Sequence, residues 1–538
     1  MAAALKSVWS ALPGLLIALL CLDSAKGGRL LVIPADGSHW TGMKTLVEEL
    51  GRRGHQVVVV IPEASLSMGP SDHTTTLTFP VPYTKGNMTK EQEKSLNRLD
   101  EDLLQLINTD VSTAVARFRN YWDTLYMLSN YTMMACESML SNKELIQTLR
   151  DYEFDALLID PFWPVGIIVG AYLDIPSIYM SGPYPCPLDI IATRCPHPVS
   201  YLPLRYTLYS NRMTLWERTV NLLRSLLEPA ACSRLHVHAN KVASDILQRD
   251  TSIVELASNA ALWLVRFDFT YEFPMPLMPN MIMIGGIMST KPKPLPQEVE
   301  EFVNGSGEHG FVIFTLGSMV SQMPEEKARV FFEAFRQIPQ RVLWRYTGPV
   351  PENAPKNVKL MKWLPQNDLL GHPKVKAFIT HGGSHGIYEG IYSGVPMVTI
   401  PLFGDQGDNA QRMVARGVAE SLTIADVTTA KVLEALSKVI GDKSYKANMM
   451  KLSAVHKDRP IEPLDLAVFW TEFVMRHKGA DHLRSTAHEL NWVQYHSLDV
   501  IALLTTAILT VVVVTIKSCM FCFRKCTGKG KQHKNKRA

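Results

Sequence analysis

Two short segments carry side chains able to move a proton. The apolar run 29–35 leads into Pro34-Ala-Asp-Gly-Ser-His39-Trp40 and then a helix, which sets an imidazole at the turn after the run. Histidine titrates near neutrality, so His39 suits a general base, with a surface or capping role as the alternative. Asp160 follows directly on a second apolar run, 154–159. If the two runs are neighbouring strands, the Asp160 carboxylate reaches the His39 ring. There it holds one tautomer and favours the imidazolium formed on proton transfer. A turn or helix-capping aspartate is the alternative. Asp155 begins the same run, which sets it at the opposite end of the sheet.

Two glycine-bearing turns suit an anion. Phe314-Thr-Leu-Gly-Ser318 ends a run with a glycine for close backbone approach and a hydroxyl for a phosphate. Thr380-His381-Gly-Gly383-Ser384-His385-Gly386 does the same ahead of a helix, whose first N–H groups attract an anion without any side-chain charge. Neither is a dinucleotide fingerprint or a lysine-bearing P-loop, and a glycine turn that binds nothing is the alternative. Glu389 lies one to two turns into that helix, suited to paired sugar hydroxyls and badly placed for phosphates.

The elements that must position these residues are legible. Runs at 29–35, 56–61, 154–159 and 176–179 are continuously rather than alternately apolar, as in a parallel sheet covered on both faces, and 41–53 reads as a helix. The pattern restarts with strands at 311–315, 342–346, 358–362, 376–379 and 397–400 and helices at 325–338, 384–393, 406–416 and 429–439. This predicts an α/β chain of two facing, doubly wound, Rossmann-like domains with a ligand crevice at the carboxyl ends of both sheets. Within 64–150 and 183–250 no details are assigned.

At 538 residues the chain exceeds one core. Residues 1–27 read as a secretory signal, with a retained anchor as the alternative, and 499–516 as a transmembrane helix. The net charge is +4, but 517–538 alone holds eight of the 55 Lys and Arg and no acid, leaving 47 against 51 elsewhere. The basicity is therefore a tail, which excludes a nucleic-acid surface and by the positive-inside rule lies in the cytosol. The expected order is an acceptor-binding domain 28–285, a sugar-nucleotide domain 286–460, helices packing back over 461–498, the membrane span and the tail. Asn87, Asn130 and Asn304 begin glycosylation triplets. Lys534 and Lys536 resemble a dilysine retrieval signal of the endoplasmic reticulum. The wide spacing of Cys136, Cys186, Cys195 and Cys232 matches neither a disulfide-rich scaffold nor a metal site, so no metal is expected.

The 44-residue stretch 363–406, from Trp-Leu-Pro-Gln-Asn-Asp through His381 and Glu389 to Phe403-Gly-Asp405-Gln406, resembles the nucleotide-sugar box of the UDP-glycosyltransferases. Leu343-Trp-Arg-Tyr346, His456-Lys-Asp-Arg-Pro460, Pro463-Leu-Asp-Leu-Ala-Val-Phe469 and Tyr495-His-Ser-Leu-Asp499 extend the likeness to the vertebrate microsomal UDP-glucuronosyltransferases, family-1 branch. That resemblance implies a GT-B fold and transfer of glucuronic acid from UDP-glucuronate, a co-substrate with no permanently bound cofactor, to hydroxyls of small lipophilic acceptors. Inversion would give β-glucuronides, with no essential metal ion. It assigns uracil stacking to Trp363, the base edge or ribose to Gln366 and the ribose hydroxyls to Glu389. It sets Ser318, His381, Gly383, Ser384, His385 and Gly386 around the diphosphate, Asp405 and Gln406 on the transferred sugar, and Arg266 on diphosphate or uronate charge. His39 and Asp160 activate the acceptor. The implied setting is a single-pass endoplasmic reticulum membrane protein with lumenal domains, membrane lipid as neighbour and homo- or hetero-oligomers with related transferases. Two alternatives stay open: the same fold using UDP-glucose or another UDP-sugar, and a catalytically silent partner of an active transferase.

Overall fold

The computed structural model describes residues 27–65, 67–86, 132–182, 186–318 and 320–532. Residues 1–26 of the leader, Asn87, Asn130, Lys534 and Lys536 lie outside the described residues. Residues up to Arg484 form one compact unit and 485–538 a second.

The first unit holds two parallel sheets. Strands β1 (Arg29–Ile33), β2 (Gln56–Pro62), β3 (Thr75–Phe79), β4 (Ala156–Ile159), β5 (Ser177–Ser181), β6 (Leu262–Val265) and β7 (Met281–Met283) are arranged β3-β2-β1-β4-β5-β6-β7. Strands β8 (Phe311–Thr315), β9 (Arg341–Arg345), β10 (Val358–Met361), β11 (Val375–Thr380), β12 (Met397–Thr399) and β13 (Ala419–Ser421) are arranged β10-β9-β8-β11-β12-β13. Strand order reverses between β1 and β4 in one sheet and between β8 and β11 in the other. These switch points are where open parallel sheets leave a crevice at their carboxyl ends. Ile33 is registered with Ile159 and Thr315 with Thr380, so His39 and Asp160 leave one crevice side by side, and Ser318 and His381 the other.

Both faces of each sheet are covered at the central strands, which is why β4 is apolar at every position and β1, β2 and β8 are nearly so. In the first sheet Leu31, Val58 and Ile159 enter one core layer, while Leu30, Val57 and Leu158 enter the other. Helix α1 (Ser38–Arg52) buries Trp40, Met43, Leu46, Val47 and Leu50 on one stripe. It begins three residues before the position its apolar pattern implies. Gly37, at φ 71°, turns the chain directly into the helix, so His39 sits on its first turn.

The middle of the first half contains β3, a helix Lys143–Asp151 and the 33-residue α2 (Leu215–Leu247), opened by a Thr214–Glu217 capping box. A disulfide joins Cys186 to Cys232 of α2, while Cys136 and Cys195 are free and buried. In the second half, α3 (Ser384–Ser393) follows β11 and α4 (Gln406–Ala415) follows β12.

Helix α5 (Pro463–His477) crosses back to the first sheet. Ala467, Val468, Val474 and Met475 join the layer containing Leu30, Trp40 and Leu158. Arg53 pairs with Asp465 at 2.8 Å, and Lys478 with Asp155, which also receives the Arg29 N–H at 2.7 Å, far from Asp160.

In the second unit α6 (Leu498–Gln532) includes a 30-residue segment, Leu498–Thr527, whose most apolar 18 residues have a mean hydropathy of 2.4, long and apolar enough to cross a membrane. The helix runs past the expected end at 516 because 517–527 contains no proline or glycine. Thr506 and Thr510 satisfy their hydroxyls on carbonyls one turn back, at 2.8 Å each.

Candidate active site

At the first switch point His39 Nδ1 lies 2.8 Å from Asp160 Oδ2. Asp160 is 2% exposed, and its other oxygen accepts the Phe162 N–H at 2.9 Å. Burial by itself would raise this carboxyl, but His39, Arg266 and the Phe162 N–H outweigh it and hold Asp160 below the usual range. The group is therefore a carboxylate at neutral pH. With Nδ1 engaged, Nε2 is the His39 nitrogen left for proton transfer. Phe162 lies against the imidazole, ring centres 4.8 Å apart, whereas Trp163 is core.

Arg266, just after β6, stands 4.0 Å from Asp160 Oδ2. Two glycines make its berth. A Cβ at Gly182 would fall 2.2 Å from Arg266 Nη2, and one at Gly42 would fall 2.5 Å from Nη1 and 3.0 Å from His385 Nε2. The guanidinium thus lies between the first domain's carboxylate and the second domain's glycine turn.

That turn opens α3. Gly383 brings no side chain to cap the helix, so its first N–H groups face the crevice side without a side-chain cap. Burial, then Arg266, His39 and His381, push His385 down to about 3, and burial pushes His381 down to about 4. Both are neutral imidazoles at pH 7 and act as N–H donors rather than cations. A Cβ at Gly317, where φ is 87°, would come 2.6 Å from the His381 ring, so that turn needs glycine for the two loops to meet, and a Cβ at Gly383 would crowd the same ring at 2.5 Å from within its own turn.

The remaining predicted residues line the second domain. Trp363 is 65% exposed, with the Arg345 guanidinium 5.4 Å from its ring centre. Arg345 donates to the carbonyls of Gly317, Ser318 and Val320, fixing the turn that carries exposed Ser318. Gln366 Nε2 donates to Glu389, whose carboxyl burial pushes up to about 7, with Gln366 opposing and Asp368 adding. Gln406 Oε1 accepts the N–H groups of Leu402 and Phe403 at 2.8 and 3.1 Å, shaping the turn that presents Asp405. Asp405 is oriented by Asn409 Nδ2 at 2.7 Å. Asn304 is exposed at the end of helix Gln297–Asn304. Among the described residues no three His, Cys, Asp or Glu side chains gather as a metal ion requires.

Sequence reading missed Gly42, Gly182 and Asn409, and it quoted Arg345 only within the Leu343–Tyr346 resemblance, without a role. A glycine in a helix interior reads only as a weak helix former, and Gly182 and Asn409 carry no local mark. Together the parts can remove a proton from a hydroxyl beside a cradled diphosphate. An exposed indole and a buried carboxyl stand where a base and a diol could be met.

Comparison with known proteins bears on the family and the fold. The family described as UDP-glucoronosyl and UDP-glucosyl transferase matches residues 28–533. UDP-glucuronosyltransferase 1A5 of Rattus norvegicus is 49% identical over 529 residues, 98% of each chain. UDP-glucuronosyltransferase 1A6 of Homo sapiens is 49% identical over 514 residues, 95% of each. Among solved structures, a UDP-glucosyltransferase from Polygonum tinctorium superposes with a TM-score of 0.56 at 15% identity, covering 84% of this chain and 99% of its own. The calicheamicin glycosyltransferase CalG4 gives 0.54 at 17%, with 84% and 99% covered. At such identities the structures establish the GT-B fold alone.

Proposed function

The chain belongs to the UDP-glucuronosyl and UDP-glucosyl transferase family, and we propose that its crevice joins glucuronic acid from UDP-glucuronate to the hydroxyl of a small lipophilic phenol or alcohol. It is a glycosyltransferase, and relatives about half identical over nearly its whole length are UDP-glucuronosyltransferases, which supports glucuronate as the transferred sugar. The observation that carries the mechanism is the His39–Asp160 pair at one switch point, linked through Arg266 to His385 at the other.

An alcohol is a weak nucleophile, so His39 Nε2 takes its proton as the oxygen attacks the anomeric carbon. The Asp160 carboxylate stabilises the imidazolium. The bond from the anomeric carbon to the diphosphate oxygen breaks on the opposite face, and UDP leaves with the electron pair. One displacement inverts an α-linked donor into a β-glucuronide. Charge on the departing diphosphate meets the α3 N–H groups, the neutral imidazoles of His381 and His385, and Ser318. Trp363 stacks on uracil beside Gln366, Glu389 holds the ribose hydroxyls, Asp405 and Gln406 hold the sugar, and Arg266 answers the uronate or diphosphate charge.

We further place the catalytic unit in the lumen of the endoplasmic reticulum, anchored in lipid by α6. The uninterrupted basic tail after the apolar stretch supports this orientation.

The test uses membranes bearing the full chain, radiolabelled UDP-glucuronate or UDP-glucose, and a phenol panel. Transfer from the glucuronate donor should fall roughly 10²- to 10⁴-fold in His39→Ala, with UDP binding retained. Preference for UDP-glucose would refute the donor, and an equal loss of UDP binding would refute the base.

A further inference from the structure

One contact between the two sheet domains has no part in the chemistry above. Residues 202–208 leave the first domain as a strap and lie on α4. The strap is riveted to its own domain by α2. The wholly buried Asn221 receives the Leu204 N–H at 2.8 Å and donates to the carbonyls of Val199 and Leu202, also at 2.8 Å. Arg224 donates to the carbonyls of Arg205 and Tyr206 at 3.3 and 3.2 Å.

The strap's free end then turns to the other domain. The Tyr206 N–H donates to one oxygen of Asp408, and the Leu208 N–H to the other at 3.0 Å. To aim both N–H groups at one carboxylate, Tyr206 and Leu208 adopt φ of 63° and 59°. That conformation is unfavourable for residues with side chains and persists only where the surroundings enforce it. Gly407 leaves room for the arrangement, since a Cβ there would lie 2.5 Å from Leu208 Cδ2. Asp408 is 8% exposed and stands three residues beyond Asp405. One cavity is walled by Arg205, Tyr206 and Asp408 together with Arg266, Ser384 and Asp405.

We propose that Asp408 is a positioning residue for sugar transfer. By holding the strap, it fixes Asp405 and Gln406 at the head of α4 against Arg266 and His39 of the other domain. This rests on the reading of Asp405 and Gln406 as sugar contacts. The uridine end is untouched, because Trp363, Gln366 and Glu389 make none of these contacts. Loss of the clamp therefore separates sugar recognition from nucleotide recognition.

The experiment uses the full chain in membranes. In Asp408→Asn an amide N–H₂ replaces one accepting oxygen, and KM for UDP-glucuronate should rise about tenfold while the competitive inhibition constant of UDP stays within about twofold. Should that buried variant fail to fold, exposed Leu208 gives a second route. Valine resists positive φ and glycine favours it, so KM should rise in Leu208→Val and lie at least roughly fivefold lower in Leu208→Gly. Unchanged KM in both Asp408→Asn and Leu208→Val, equal KM in the two Leu208 variants, or a parallel rise in the UDP constant would overturn the proposal. Failure of the underlying reading is seen separately, as an unchanged KM for UDP-glucuronate in Asp405→Ala.

Discussion

Asp160→Asn is the sharpest test of the reaction chemistry. The Asp160 oxygen that accepts the Phe162 N–H would be kept by the amide oxygen, which leaves the amide nitrogen facing His39 Nδ1. An N–H donor there forces the proton onto Nε2, the atom that must accept one from the acceptor, so the base is blocked as well as deprived of its counter-charge. The charge loss can be sized. A carboxylate about 4 Å from the imidazolium centre is worth about 4 kcal/mol at an effective dielectric of 20. At about 1.4 kcal/mol per tenfold, kcat should fall by about 10³. The assay is single-turnover glucuronidation of a simple phenol at saturating donor, beside equilibrium binding of UDP. The deficit should shrink for 4-nitrophenol, whose proton leaves without much help, and grow for an aliphatic alcohol. A loss below about tenfold for every acceptor, or one independent of acceptor acidity, would refute the assignment of His39 as base held by Asp160.

Three further outcomes follow from the geometry. With the Glu389 carboxyl raised to about 7, its protonated form predominates at lower pH, so affinity for UDP-glucuronate should fall up to about tenfold per unit below pH 7 and level off above it. Titration calorimetry should show this slope abolished in Glu389→Gln. The free protein has the opposite slope: its folded state holds that proton more tightly than the unfolded chain, so Glu389 costs stability as pH rises from the ordinary carboxylate range to 7. Gly182→Ala drives a Cβ into the space of Arg266, which Gly42 and Asp160 confine from other sides. Its kcat/KM for the glucuronate donor should drop roughly 10- to 100-fold with a melting shift worth only about 1 to 3 kcal/mol. Replacing Cys186 and Cys232 by serine opens a link spanning 46 positions. Loop entropy predicts a loss of up to about 4 kcal/mol, read by thermal unfolding of the full chain.

Much of the architecture was legible because the sheets are covered on both faces, which makes 30–33, 156–159 and 311–314 unbroken apolar runs. Asp160 and His381 could be singled out because each follows such a run directly, and His39 and Ser318 because they lie in the turns after theirs. What sequence alone could not supply was the order of strands. Over a hundred residues separate β1 from β4, and only their pairing brings His39 to Asp160. The strap was invisible for a different reason. Tyr206 and Leu208 hold conformations normally marked by glycine, and their stabilising partner lies some 200 positions away. In α2, exposed Leu222, Leu223, Leu226 and Leu227 blur the amphipathic stripe, and Pro229 reads as a breaker.

The returning helix α5 has a consequence for how such a protein can be recombined. Divided in sequence at the end of the first sheet, the chain does not yield two self-contained modules. The second segment carries Ala467, Val468, Val474 and Met475, which complete the core of the first. A transplanted first half must therefore arrive with an α1 and β4 surface that accepts this borrowed helix, including an arginine for Asp465 and an aspartate for Lys478. Diversification of the first half is channelled accordingly. Loops on the crevice side can be redrawn, whereas the seam beneath α5 is shared property of both halves and changes only if both change together.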